Sequence, residues 1–209
     1  MTTLIVTAVE AEAQAIGDLD DCLVIAAGIG RTNAAAATTQ HCLEHGNISA
    51  VISAGIAGAL PDSGLGVGDV LLADRCIYVE EGLAHPNGFQ DMQAMGFSLG
   101  DFPGNEVPVD SSLLAQVQEH FPTGAIATVA TCSGTDEQAR LVVERTCARA
   151  EAMEGAAVVH AARRLGIPAL EIRGISNTTG DRNRQQWDLQ AGLEAIGTSV
   201  ESLISRLRP

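Results

Sequence analysis

Two spacings of apolar residues alternate along the chain. Short unbroken runs at Thr3 to Val9, Leu23 to Ala27, Ala50 to Ala54, Ala125 to Thr131 and Ala169 to Ile175, with a longer one leading from Val67 to Val79, have the length and composition of buried strands. Between them lie helical segments. Thr32 to His45 and Gly155 to Leu165 are Ala-rich, and a segment capped by Asp110 puts Leu113, Leu114, Val117 and Phe121 on one face. From Gln186 to Leu207 a stripe of Leu189, Leu193, Ile196, Val200, Leu203 and Leu207 recurs with a period near 3.5, as on a helix lying against a sheet. Thr135-x-x-Gln138 has the form of a capping box, and Gly166 and Pro168 stop the helix before them. The alternation predicts an α/β fold. Glu80 to Val109 interrupts it. That stretch is Gly/Pro-rich, lacks periodicity and holds Phe89, Phe97 and Phe102, so it reads either as a functional loop or as a surface loop anchored by its own Phe residues.

Composition narrows the picture. At 209 residues and 46% hydrophobic content, the chain is long enough for one domain with a sizeable core. A formal net charge of −14 repels nucleic acid and anionic membranes, and obliges any anionic substrate to find local Arg or backbone donors. Cys22, Cys42, Cys76, Cys132 and Cys147 form no CxxC, and their odd number and scatter fit reduced thiols in a cytoplasm. No signal peptide is evident, and no apolar run approaches the roughly 20 residues that span a bilayer.

Candidate chemistry collects at strand-to-helix and helix-to-strand junctions. Glu154 stands at a helix N-terminus and Asn177 just past the end of a strand, where ligands bind in α/β sheets. A carboxylate there can accept from two vicinal hydroxyls, and an amide can both donate and accept at a heterocycle edge. Each has a plainer reading, as a helix-dipole partner and a turn residue. Glu10 and Glu12 follow the first strand and could hold a general base or only enrich a first helical turn in acid. Gly28-Ile-Gly30 lacks the third glycine of a dinucleotide fingerprint, Asn33 standing in its place, and reads as a tight turn. His41 and His45 have metal-compatible spacing without an evident third ligand, so a solvated helix end is preferred and no metal or cofactor is expected. Cys132 has no partner His and reads as an inert loop thiol.

Met153-Glu154 before a helix and Arg173-Gly-Ile-Ser176-Asn177 at a strand end resemble the purine nucleoside phosphorylase and nucleosidase superfamily. The tail Ser176-Asn-Thr-Thr-Gly-Asp181-Arg182 with Trp187-Asp188 is most similar to its futalosine hydrolase branch, which serves an alternative menaquinone pathway. The resemblance implies a single-domain three-layer αβα fold with a central mixed, mostly parallel sheet over residues 1–209. It implies a purine nucleoside substrate, a homo-oligomer, and a long segment carrying Phe97 that lines the 5′-substituent pocket, often of a neighbouring subunit. It also assigns roles. Glu12 would activate water, with Val9 lining the pocket; Met153 and Glu154 would hold the ribose; Ala57 and Gly58 would lie close to the nucleoside; Ser133, and Thr135 if it does more than cap, would meet the base. Asn177 would bind the departing base, Ser176 would fix Asn177, and Arg173 would orient the site.

Two departures from the superfamily pattern bear on the reaction. Phosphorolytic relatives hold phosphate with Ser after the first glycine and Arg two residues before it, where this chain has Ile56 and Ser53. An aliphatic side chain cannot bind an oxyanion, which favours water as the nucleophile. Asn177 replaces Asp. An amide can donate to O6 and accept from protonated N7 of a 6-oxopurine, so it points to hypoxanthine over adenine. Asn is a poor proton donor, which leaves water or Asp181 as the source of the N7 proton. The leading expectation is therefore hydrolysis of futalosine to hypoxanthine and dehypoxanthine futalosine. The alternatives are a methylthioadenosine/S-adenosylhomocysteine nucleosidase, a phosphorylase, and a nucleoside-binding module without turnover.

Overall fold

The structure, a computed structural model, describes residues 2–207. Strand β1 (Thr2–Thr7) feeds helix α1 (Glu10–Ile16), and β2 (Cys22–Ala26) feeds α2 (Arg31–Glu44). Two long strands follow, β3 (Ile48–Ala59) and β4 (Val70–Tyr78), then a hairpin of β5 (Gly82–His85) and β6 (Gly88–Asp91), and the short β7 (Glu106–Pro108). Helix α3 (Ser111–Val117), β8 (Thr123–Thr128), α4 (Asp136–Thr146) and β9 (Ala150–Ala152) lead into α5 (Gly155–Arg164), β10 (Ala169–Thr178) and α6 (Leu189–Arg206).

The sheet is mixed and mostly parallel. β2, β1, β3 and β10 lie side by side in parallel. β4 runs against β10, with β8 parallel to β4 and β9 parallel to β8. β9 then returns to pair antiparallel with the far end of β3, so β3, β10, β4, β8 and β9 close into a ring from which β1 and β2 extend. Helices cover both faces. Along β10, Glu171 abuts the first residue of α5 while Gly174 abuts the backbone of α6, so alternate residues meet opposite layers. α2 backs α5, and α1 backs α6. This is the expected three-layer arrangement. β10 is buried from Ala169 to Asn177, as an unbroken apolar run covered on both faces should be. One core cluster runs through Leu4, Ile52, Leu72, Ile172 and Ile196, and a smaller one under α4 joins Ile77, Val129 and Val142.

Four local expectations are corrected. The strand expected over Ala50 to Ala54 does not end there: the glycine stretch Gly55 to Gly58 is the second half of β3. Its glycines are demanded by side chains packed against the strand, described below. Glu80 to Val109 contains the hairpin and β7, and its Phe residues have separate fates: Phe102 is buried edge-on to His160, Arg145 stacks on Phe89, and Phe97 is exposed. β10 continues to Thr178, which makes Asn177 part of the strand. α6 begins at Leu189 rather than Gln186, because Asp188 caps it by accepting from Ala191 N. Its buried face is Gly192, Ile196, Val200 and Leu203, and Leu189 is exposed, because Gly192 lets the helix axis settle directly on β10. The expected unit of residues 1–209 includes Met1, Arg208 and Pro209, which lie outside the described residues. Among the described residues, no helix is long and apolar enough to cross a membrane.

Candidate active site

Glu12 is the third residue of α1, whose N-cap is Val9. Val has no side-chain oxygen to cap the helix, and the Glu12 carboxylate turns back to supply one. Its Oε2 accepts from Ala8 N at 2.8 Å and Val9 N at 3.2 Å. Its Oε1 crosses to β3 and accepts from Ile56 N at 2.8 Å. The group is 3% exposed and locked in one pose, with a lone pair of Oε1 left over.

Gly55 explains the close approach. A Cβ there would lie 2.5 Å from Glu12 Oε1 and 2.7 Å from Arg173 Nη1. Arg173, the partner of Gly55 across β3 and β10, is 1% exposed. Its Nε donates to Glu171 Oε1 at 2.9 Å, its Nη2 donates to Ser53 Oγ at 3.0 Å, and its Nη1 lies 3.6 Å from Glu154 Oε2. Burial disfavours the guanidinium charge, but Glu171, Glu154 and Glu12 outweigh it and hold the group above its ordinary value. Arg173 thus ties Glu12 and Glu154 into one cluster.

Glu154 is the N-cap residue of α5. Its Oε1 accepts from Gly30 N at 3.0 Å and its Oε2 from Met153 N at 3.2 Å. Gly28 and Gly30 have φ of 95° and 92°, a tight turn open to glycine. The turn spends a backbone N–H on a protein carboxylate. Next to it, a cavity of about 400 Å³ is lined by Arg31, Tyr78 and His160. Arg31 is engaged there by Glu80 and Glu81 and offers an anion little.

Asn177 and Ser176 come from an irregularity. The pairing of β10 with β3 slips between Ile175 and Asn177, and Ser176 takes up the extra position. Asn177 then faces Gly58, where a Cβ would lie 3.0 Å from its Nδ2. Ser176 Oγ donates to Asn177 Oδ1 at 2.9 Å, with Ala57 O at 3.4 Å, and Asn177 Nδ2 donates to Thr178 O at 3.0 Å. One acceptor site and one donor site of the amide remain for a ligand. Asn177 also forms a bridge with Trp187, and Gln185 Nε2 reaches Ser133 O, so the tail after β10 folds over this end.

On the other side of Gly58 sits Glu151, which sequence reasoning missed. Ser133 N donates to its Oε1 at 2.7 Å and Ser133 Oγ to its Oε2 at 2.6 Å. Burial pushes the Glu151 carboxyl up, and the Ser133 bonds bring it part of the way back. The signal was a lone acid within the apolar Ala150-Glu151-Ala152.

β3 therefore carries both ends of the site. Glu12 is bonded at Ile56, and Asn177 lies at Gly58, about 7 Å further along the strand at 3.3 Å per residue. Glu12, Arg173, Glu154 and Met153 are brought together at one end, and Asn177, Ser176, Ala57, Gly58 and Ser133 at the other. Three residues stand apart. Phe97 is 61% exposed and does not join the group. Thr135 caps α4 by accepting from Gln138 N. Asp181 is committed to Arg184 and Asn183 N, which removes it as a proton source. Cys132 sits in an exposed loop with its thiol pushed up by burial, then by Glu151 and Glu154, the opposite of an activated thiol. On α2, Glu44 joins His41 and His45 with ligand atoms within 4.8 Å, a third donor the spacing did not reveal, but the cluster is largely exposed.

A model of the Phosphorylase superfamily matches residues 9–207. Futalosine hydrolase of Streptomyces coelicolor is 33% identical over 186 residues, covering 86% of this chain and 77% of that protein. The 5′-methylthioadenosine/S-adenosylhomocysteine nucleosidase of Staphylococcus aureus is 27% identical over 199 residues, covering 90% and 82%. Among solved structures, a futalosine hydrolase mutant of Helicobacter pylori superposes with a TM-score of 0.80 at 21% identity, covering 99% of this chain and 100% of that one.

Proposed function

Because the chain belongs to the phosphorylase superfamily, we propose that it hydrolyses the N-glycosidic bond of futalosine, releasing hypoxanthine and dehypoxanthine futalosine for menaquinone formation. The observation that carries this reading is the Asn177 amide. It stands on β10 opposite Gly58 of β3, two residues beyond the Glu12 anchor at Ile56, with one donor and one acceptor unspent.

In this reading the base lies at Gly58, takes a proton at N7 from water, donates it in a hydrogen bond to Asn177 Oδ1 and accepts at O6 from Nδ2. Glu154 accepts from the ribose hydroxyls. As the C1′–N9 bond stretches, the sugar becomes oxocarbenium-like and the buried carboxylates stabilise its positive charge. Water on the opposite face is oriented by Glu12 Oε1, which takes its proton as the C–O bond forms. Three backbone N–H donors fix the Glu12 carboxylate in one pose, and a carboxylate base suffices when the electrophile is already a cation. Ile56 and Ser53 favour water over phosphate, since Ile56 has no polar side chain and Ser53 is held by Arg173.

We take residues 2–207 as one nucleosidase domain acting in the cytoplasm, where five free thiols would remain reduced. We also infer a homo-oligomer, because Ile29, Leu43 and Phe97 expose large apolar side chains that a second copy would cover. The test of the activity is product analysis on purified protein and futalosine in phosphate-free buffer. Hypoxanthine release is expected. A requirement for added phosphate would make the enzyme a phosphorylase, and a preference for methylthioadenosine would move it to the adenine-releasing branch.

A further inference from the structure

Beneath the sugar end of the site lies a carboxylate that the mechanism does not use. Glu171 is fully buried on β10. Its Oε1 is bound by Arg173 Nε, its Oε2 meets no nitrogen or oxygen donor among the described residues, and the buried Cys76 thiol is the other group within reach of the carboxylate. It presses on the start of α5, where a Cβ on Gly155 would lie 1.9 Å from Glu171 Oε1 and 2.0 Å from the carboxyl carbon. No side chain larger than hydrogen fits, so Gly155, directly after Glu154, leaves the space that Glu171 fills.

Stability does not account for this arrangement. A buried ion pair is often no better for the fold than apolar side chains of the same volume. Ala at 155 with Val at 171 would occupy the space without any charge. Electrostatics do account for it. Arg173 lies 3.6 Å from Glu154 and shares the space over Gly55 with Glu12, and its positive charge opposes the cation that would form on the sugar between the two acids. Burial pushes the Glu171 carboxyl up and the Arg173 guanidinium pulls it back down; ionised against Arg173, Glu171 makes three carboxylates around one guanidinium where there would otherwise be two. In a water-excluded site that difference acts at full strength on a charge developing nearby.

We propose that Glu171 is a positioning residue for glycosidic cleavage: it holds Arg173 by Nε and offsets the guanidinium charge, so that Glu12 and Glu154 act on the ribosyl cation as net negative groups. The inference rests on the nucleosidase reading above.

The test compares wild-type protein with Glu171→Gln in futalosine hydrolysis. It also compares binding of two purine analogues of similar shape, one with a protonated pyrrolidine in place of the ribose and one with an uncharged carbocycle. Glu171→Gln should lower kcat by about 10-fold or more with KM changed less than about twofold. It should weaken the cationic analogue by a similar factor and leave the neutral analogue within about twofold. Equal weakening of both analogues, or an unchanged kcat, overturns the proposal. The double variant Gly155→Ala with Glu171→Val fills the space without charge and should fold and show the same losses. If it fails to fold, or retains wild-type kcat, Glu171 belongs to the scaffold and the proposal falls. A wild-type protein inactive on futalosine would instead overturn the nucleosidase reading.

Discussion

At the scale of single residues, the proposed choice of leaving base rests on Asn177. Its Oδ1 is oriented by Ser176 and its Nδ2 by Thr178, so the amide is not free to turn over and present the opposite pattern. A 6-oxopurine matches it and adenine does not, and a mispaired buried polar group costs about 1–3 kcal/mol. Asn177→Asp should therefore shift the ratio of kcat/KM for hypoxanthine over adenine nucleosides toward adenine by about 10- to 100-fold. An unchanged ratio would remove the amide from base selection. Glu151 gives a second prediction. Burial raises its folded pKa above the ordinary 4.5, so the folded protein keeps this proton where the unfolded chain has lost it. That contribution to stability is complete below the unfolded value and disappears as pH rises through the folded one. The Tm of wild type minus that of Glu151→Gln should fall as pH is raised from about 4.5 to 7. A difference that does not vary with pH would show that burial leaves the carboxyl unshifted. Glu12, Glu154 and Asn177 were legible because each stands beside a change of secondary structure. Glu151 and Glu171 were not, because an acid inside an apolar strand carries no periodic mark. What betrays Glu171 is Arg173 two residues on, the same face of a strand, together with a glycine where α5 begins.

At the scale of elements, the site depends on backbone approaching backbone. A Cβ on Gly174 would lie 2.4 Å from Gly192 O, and one on Gly192 would lie 2.8 Å from Ser176 Cβ. Helix α6 thus rests on the part of β10 where the strand slips and turns Asn177 toward Gly58. Gly192→Ala should push α6 away from that bulge. We expect a loss of about 1–3 kcal/mol from overpacking, with a fall in kcat because Ser176 moves. Gly197→Ala provides the control: its Cβ would strike Ala15 O on α1, about 7.5 Å along the helix from Gly192 and off the Ser176 contact. Thermal unfolding and steady-state kinetics on both should show similar destabilisation but a kcat defect for Gly192→Ala alone. Equal kcat defects would deny that α6 supports the bulge. The apolar periodicity of α6 was readable and its extent nearly right. The centre of its buried face was misjudged because the closest contact is made by a glycine, which hydrophobic periodicity does not count. The same blindness ended the strand at Ala54, short of Gly55 to Gly58, where glycines within a strand mark the approach of Glu12, Arg173 and Asn177.

For the molecule as a whole, the alternation of strands and helices disclosed the layers, but not the closure of the sheet. That closure runs through β9, three residues with no period to detect, and the hairpin was hidden because short polar strands exposed to solvent do not alternate clearly. Charge is the property most directly carried from sequence to behaviour. The net −14 surrounds a site in which Arg173 is buried and already matched by carboxylates, and beside which Arg31 is held by two more. A nucleoside bearing a carboxylate on its 5′ side must approach against this field. Salt shortens the range of the repulsion, from about 30 Å at 0.01 M to about 8 Å at 0.15 M. For such a substrate kcat/KM should therefore rise several-fold over that interval, while inosine, which carries no charge, should change less than about twofold. If kcat/KM for the charged nucleoside fell with salt, a local positive patch would be steering it in, and the residues forming that patch would lie outside the cluster around Arg173.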